Sequence, residues 1–280
     1  MPTPANPLLF YDIGLRPPVE KTCCSPNPWK TRQALNFKTL PYTTKWVGLP
    51  DVEKVRKGLK VPPVRKFADG SDFFTLPIIE DANTNSSVGD SFDIAVHLQK
   101  NYPDVGGDLF PEQKIDYVFE HPYIMVPLSE CNDKEYPEYA RFNVTVDAAF
   151  TAHVQLTTGG FPFDPATEST VKEEFVRRAT AAGAPGISSW EDFALEGEAR
   201  EKVKDSFREM LGGLGELFIR DSSGPFMLGA TACYADFIVG AWLKMMRATL
   251  PEIEWEEVRA WHGGIFGKLH DALEVYSEVK

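Results

Sequence analysis

The stretch Lys21–Leu40, KTCCSPNPWKTRQALNFKTL, holds the residues of this chain best suited to chemistry. Thr22, Cys23, Cys24 and Ser25 form a small polar cluster, and Pro26 and Pro28 follow it. Proline fits the first turn of a helix, where its missing N–H has no intrahelical partner to lose, so Ser25 reads as the N-cap of a helix that starts at Pro26. A hydroxyl or thiol at that place sits in the positive end of the helix dipole, which favours a nearby anion and lets a protein hold a thiolate at neutral pH. Ala34 and Leu35 mark the apolar side of the helix, while Lys30, Arg32 and Lys38 are charged. The plainer alternative is a serine cap with two ordinary cysteines beside it.

Two further places carry polar or backbone chemistry. Asp90-Ser91 opens the helical run DSFDIAVHLQKNY, with Ile94, Ala95 and Leu98 on its apolar side. Aspartate and serine are good caps, and most such pairs are only caps. Upstream, Phe73–Glu80, FFTLPIIE, is an apolar run broken by Pro77. A proline there either demotes the strand to an edge or marks a cis Leu76–Pro77 bond that lays the preceding backbone open. Other chemistries lack their signatures: no P-loop, no GxGxxG after a strand, no HExxH, no CxxC and no GxSxG. The histidines at 97, 121, 153, 262 and 270 have no metal-ligand spacing, so no metal is expected, and nothing favours a Ser-His-Asp hydrolase.

The elements that must position these residues follow from local pattern. Pro7–Asp12, PLLFYD, reads as a strand, and Tyr42–Val47, YTTKWV, as a second. With the helix between them they form a βαβ unit, whose ligand loop lies at the C-terminal end of the first strand. Asp51–Leu59 reads as a short helix stopped by Pro62-Pro63, and Asn83–Ser87, NTNSS, as a turn. Tyr102–Pro111, YPDVGGDLFP, is a Gly/Pro-rich boundary. Beyond it helical patterns cover 112–127, 140–156, 168–182, 188–219, 234–249 and 264–278, with the aromatic loop TGGFPFDP at Thr158–Pro165. Two domains are expected, 1–102 with the sheet and 112–280 all helical.

Composition narrows the function class. The chain has 280 residues and a formal net charge of −12, which disfavours binding to nucleic acid or an anionic membrane but permits a small anionic ligand. The N-terminus lacks a basic start and a long apolar stretch, and no run of about eighteen apolar residues exists. A cytoplasmic protein is expected, and the sequon Asn143-Val144-Thr145 is expected to be silent. Four cysteines, two of them adjacent, do not make a disulfide framework.

Taken together, the motifs resemble a glutathione transferase. Ser25-Pro26-x-x-Trp29-Lys30-x-Arg32 stands at the start of the first helix. Thr75-Leu76-Pro77-Ile78-Ile79 is placed like the family's cis-proline strand, and Asp90-Ser91 like its acid–serine pair. Ala235-Asp236-Phe237, within CYADFIVGAWL, matches the start of the family's buried central helix. The words SPNPWKTRQALNFK and YTTKWV look most like fungal serine-type transferases related to bacterial β-etherases. The resemblance implies an α/β thioredoxin-like domain followed by an all-α domain, glutathione as cosubstrate, and a homodimer. It implies Ser25 as the catalytic residue, Asp90 and Ser91 on the γ-glutamyl group, and Leu76 and Pro77 on the cysteinyl backbone. The second domain would then line a site for hydrophobic aromatic compounds, for conjugation or ether cleavage.

Two departures from the family stand out. Cys233 replaces the usual Ser/Thr cap of the central helix, with Asp236 at its third position. The segment 50–74 is long and carries Lys54, Arg56, Lys57, Lys60, Arg65 and Lys66, either as part of the ligand mouth or as a solvated loop. Two other functions stay open on sequence: an omega-like thiol transferase using Cys24 or Cys23, and a carrier of aromatic ligands with little turnover.

Overall fold

The structure is a computed structural model that describes residues 4–120 and 134–280. Strand β1 (Leu8–Ile13) leads through a loop into helix α1 (Pro26–Phe37), and β2 (Tyr42–Val47) returns parallel to β1, Leu8 facing Tyr42 and Ile13 facing Val47. Helix α2 (Val52–Gly58) follows, then a small hairpin of β3 (Arg65–Lys66) and β4 (Asp72–Phe73). Strands β5 (Ile78–Asp81) and β6 (Ser86–Gly89) run antiparallel to their neighbours and complete a four-stranded sheet of order β2-β1-β5-β6. Helix α3 (Ser91–Asn101) closes this half. The second half contains α4 (Pro137–Thr151), α5 (Glu168–Ala181), α6 (Gly197–Gly215), α7 (Tyr234–Thr249) and α8 (Glu252–Ala272). The expected class, a mixed sheet with helices followed by helices alone, is what the chain forms.

Helix α1 is buried on all sides rather than amphipathic. Lys30, Arg32 and Lys38 are each fully buried, so the three charges do not mark an outer face. Each has a partner from a distant part of the chain, as a buried charge requires. Lys30 Nζ bonds Asp147 of α4 and, at 2.8 Å, Asn143 Oδ1. Trp242 Nε1 of α7 donates to the same Asp147 oxygen at 2.8 Å. Arg32 pairs with Asp12 at 2.6 Å and lies over the rings of Phe10, Trp29 and Trp46. Lys38 donates to the Gly107 carbonyl at 3.0 Å, pinning the 102–111 linker, where a Cβ on Gly106 would strike the Lys38 backbone. Asn143 is wholly buried, which leaves no room for a glycan on the sequon.

One apolar core runs through α1, α3, α4, α6, α7 and α8. A second, on the other sheet face, joins Tyr11, Val47, Val52, Leu76 and Ile78 to Val171 of α5. The outer edge of β2 is occupied by the chain's last residues: the Thr44 N–H donates to the Lys280 carbonyl at 3.0 Å and the Tyr42 hydroxyl to the Glu278 carbonyl at 2.9 Å. An exposed strand edge invites pairing with another chain, and this segment removes the invitation.

Three helical expectations change. Residues 112–120 form no helix, and the rest of the expected 112–127 helix lies outside the described residues. The 188–219 pattern divides because Ser189 and Asp192 cap a short turn at Trp190–Phe193, and α6 starts only at Gly197, whose φ is +56°. The last helix begins at Glu252 instead of 264, and its interruption is an extended Trp261 followed by left-handed His262, Gly263 and Gly264.

Candidate active site

Strand register brings the sequence-predicted residues to one end of the sheet. Ile13 and Val47 end the parallel pair there, and Tyr11 faces Ile78, the first residue of β5, just after Pro77. Ile78 faces Gly89, the last residue of β6, just before Asp90. The loop from Ile13 to Ser25, the Leu76-Pro77 segment and the start of α3 therefore converge at the same edge.

Ser25 is the N-cap of α1, half-buried, in extended backbone conformation. Its hydroxyl makes no capping hydrogen bond. A cap oxygen normally accepts from the second or third helical N–H. Here the third helical residue is Pro28, which has none, and among the described residues the Ser25 hydroxyl has no cap partner. The cysteines beside it are inward. Cys24 is fully buried and Cys23 nearly so, and both are free thiols. Burial pushes the Cys23 thiol up to about 12, with the Asp12 carboxylate adding to the rise. Cys24 is raised too, again by burial first. The Cys23 carbonyl accepts from Trp29 Nε1 at 2.9 Å, which ties the incoming loop to α1.

The Leu76–Pro77 peptide is cis, as the interrupted strand suggested. Leu76 is buried, and among the described residues its N–H has no backbone partner. The Leu76 carbonyl accepts from the neighbouring Thr75 hydroxyl, at 3.2 Å. The Pro77 carbonyl accepts from the Asp90 N–H at 3.3 Å, which joins this segment to the start of α3.

Asp90 caps α3, its Oδ1 accepting from the Phe92 N–H at 2.9 Å. Its φ of +88° is unusual for a residue with a side chain and is held by these cap contacts. Burial raises its pKa, opposed by the Phe92 N–H and by the charge of Lys30. Among the described residues the buried Ser91 hydroxyl has no hydrogen-bond partner. Beside Asp90 a cavity of about 250 Å³ opens between Arg56, Pro62–Val64 and Ser87–Gly89.

The basic 50–74 segment divides in function. Lys54, Lys57 and Lys60 are exposed, as a solvated loop would have them. Arg56 is buried, donating to the Pro62 carbonyl at 2.6 Å and the Thr75 carbonyl at 2.5 Å. Its role was not visible in sequence, because its carbonyl partners carry no residue-type signal. The aromatic loop reaches the same end of the sheet: the Arg16 N–H donates to the Pro162 carbonyl at 3.0 Å. Phe161, Phe163, Phe175 and Trp190 pack ring against ring there, each half-buried. Among the described residues no cluster of His, Cys, Asp or Glu could hold a metal ion, and no helix is long and apolar enough to cross a membrane.

Comparison with known proteins agrees with this geometry. Residues 148–276 match the family model for the glutathione S-transferase C-terminal domain. The chain is 28% identical to the glutathione S-transferase-like protein ustS of Aspergillus flavus, over 96% of this chain and 91% of that one. It superposes on a glutathione S-transferase of Ceriporiopsis subvermispora, solved with glutathione, with a TM-score of 0.77 and 29% identity, covering 98% of this chain and 99% of that one. Glutathione transferase GSTFuA2 of Phanerochaete chrysosporium gives 0.75 and 25%, covering 99% and 100%. The chain thus has the glutathione transferase fold, and its residues 148–276 are similar to the C-terminal domain of that family.

Proposed function

We propose that this chain is a serine-type glutathione transferase acting on hydrophobic aromatic compounds. The observation that carries the reading is the Ser25 hydroxyl, which stands at the N-terminus of α1 and makes no capping hydrogen bond. Glutathione would lay its cysteinyl backbone on the free Leu76 N–H and its γ-glutamyl head group on Asp90 and Ser91, a carboxylate acceptor and a hydroxyl for an α-amino-acid end. Its sulfur then meets Ser25, which donates a hydrogen bond to the thiolate. Preferential bonding to the charged form lowers the thiol pKa, and the positive end of the helix dipole adds to it. The thiol proton goes to solvent. The thiolate forms a carbon–sulfur bond with the electrophile, and the leaving group, a halide or an aryloxide, departs with the bonding electron pair. The aromatic cluster around Phe161 and Trp190 is the surface we assign to the apolar substrate.

The fully buried Cys24, its thiol raised by its surroundings, supports serine over an omega-like cysteine mechanism. Two functional units, 1–102 and 112–280, a homodimer and a cytoplasmic setting complete the proposal. The test is one activity panel with wild type and Ser25→Ala: a chloronitrobenzene, a glutathionyl mixed disulfide and a model β-aryl ether. Serine-dependent turnover of the first or third substrate supports the reading. Turnover of the disulfide alone, indifferent to Ser25, moves the assignment to a thiol transferase, and binding of aromatics without any turnover moves it to a carrier.

A further inference from the structure

Two guanidinium groups grip the backbone immediately before Leu76. Arg56 holds the Thr75 carbonyl from α2. Arg178 comes from α5, in the helical half, and its Nη1 donates to the Phe74 carbonyl at 3.0 Å. The Arg178 Nε donates to Glu174 at 2.7 Å, which sets the plane of the guanidinium, and the group lies 5.7 Å from the Phe73 ring centroid. The same helix anchors the β3–β4 hairpin: the Asp69 N–H donates to the Ala181 carbonyl at 3.2 Å, and Phe67, Phe73 and Ala181 form a small apolar cluster. The hairpin runs straight into residues 74 and 75, which lie outside any strand. Their carbonyls have these two arginines where a strand would have a ladder. Fixing the two peptide planes fixes the direction of the next N–H, that of Leu76.

We propose that Arg178 is a positioning residue for glutathione, reaching from the helical half to fix the Phe74–Thr75 backbone and so the Leu76 edge that takes the cysteinyl peptide. The inference rests on the glutathione reading above. It gives the long 50–74 insertion a role: the hairpin is the handle by which α5 sets that edge. Arginine suits the task because its fork serves a carboxylate and a carbonyl at once, which a lysine ammonium does with less geometric control.

The experiment uses the full chain as wild type, Arg178→Met, Arg178→Lys and Arg177→Met. Methionine keeps the apolar stem against Phe73 and removes the donors. Arg177 pairs with the same Glu174 but touches neither carbonyl, so it controls for the ion pair. Calorimetry reads glutathione affinity, and amide hydrogen exchange of the peptide 73–78 reads the backbone without any ligand. Arg178→Met is expected to weaken glutathione binding by about tenfold and speed exchange of that peptide by a similar factor, with kcat at saturating glutathione within about twofold. Arg178→Lys should recover part of both effects, and Arg177→Met should show neither. If Arg178→Met does not fold, Glu174→Gln, which releases the guanidinium, is read in the same two assays with the same expectation. Unchanged exchange and affinity in the Arg178 variant overturns the inference while leaving the glutathione reading intact. Faster exchange with no glutathione binding by wild type overturns the glutathione reading, and the positioning role with it.

Discussion

Pro28 occupies the third helical position and removes one of the two N–H groups that a Ser25 cap could take, and the Ser25 hydroxyl makes no capping hydrogen bond. Asp90 does cap its helix, one oxygen accepting from the Phe92 N–H, and under the proposed function its other oxygen would take the glutathione head group. Asp90→Ala should weaken glutathione binding by about 1.5–3 kcal/mol, the range for a lost charge-assisted contact, as calorimetry would show. Unchanged affinity would remove Asp90 from the site. The cysteines give a second expectation. With Cys23 pushed up to about 12 and Cys24 raised by burial, both stay protonated at pH 8, and native protein should resist iodoacetamide there until it is unfolded. Mass mapping of Cys23 and Cys24 before and after denaturation checks this, and rapid native labelling of Cys24 would contradict it. Ser25, Asp90 and the cis Leu76–Pro77 bond were legible in sequence because caps and prolines act over a few residues. The burial of the cysteines was not, since it is made by Trp29, Trp46, Ala241 and Val279 closing around Cys23.

At the scale of elements, α7 shows how a weak cap is supported. Cys233 stands at its N-cap, and the Asp236 carboxylate accepts from the Cys233 N–H at 2.8 Å and the Met227 N–H at 2.9 Å. Asp236→Ala would strand two buried donors, and denaturant unfolding should show a loss of about 2–4 kcal/mol. A loss below about 0.5 kcal/mol, the size of an ordinary surface change, would mean that the cap contributes little. The sequence placed α7 and β2 at their observed bounds because both have strong periodicity and clear ends. It joined the Trp190 turn to α6, since apolar spacing persisted through the Ser189–Asp192 cap. It missed the first half of α8, where Trp255 and Val258 are the main inward apolar residues among many acids.

Over the whole molecule, the halves are joined by charge as well as by apolar packing. Lys30 of α1 and Asp147 of α4 are both fully buried, and Trp242 of α7 shares the carboxylate. Replacing Lys30 leaves the buried Asp147 carboxylate without its cation, with the Trp242 N–H still on it. Lys30→Met is therefore expected to cost about 3–5 kcal/mol, more than an exposed pair such as Lys57–Glu53, whose loss should fall within about 1 kcal/mol. Thermal unfolding of the two variants side by side makes the comparison, and equal small losses would mean the buried pair adds no cohesion. None of this was legible from α1 alone. A lysine reads as a surface residue until its partner, more than a hundred positions away, is placed beside it.

The central claim is that Ser25 holds the glutathione sulfur as a thiolate. Its most direct test is the pH titration of thiolate absorbance for glutathione bound to wild type, Ser25→Ala and Cys24→Ser. The account predicts a thiol pKa below that of free glutathione in wild type and in Cys24→Ser. In Ser25→Ala it predicts an upward shift, with conjugation at neutral pH reduced by up to about 10²–10³, the cost of losing one donor to developing charge in a dry site. A titration unchanged in Ser25→Ala, with the thiolate signal lost in Cys24→Ser, would contradict it.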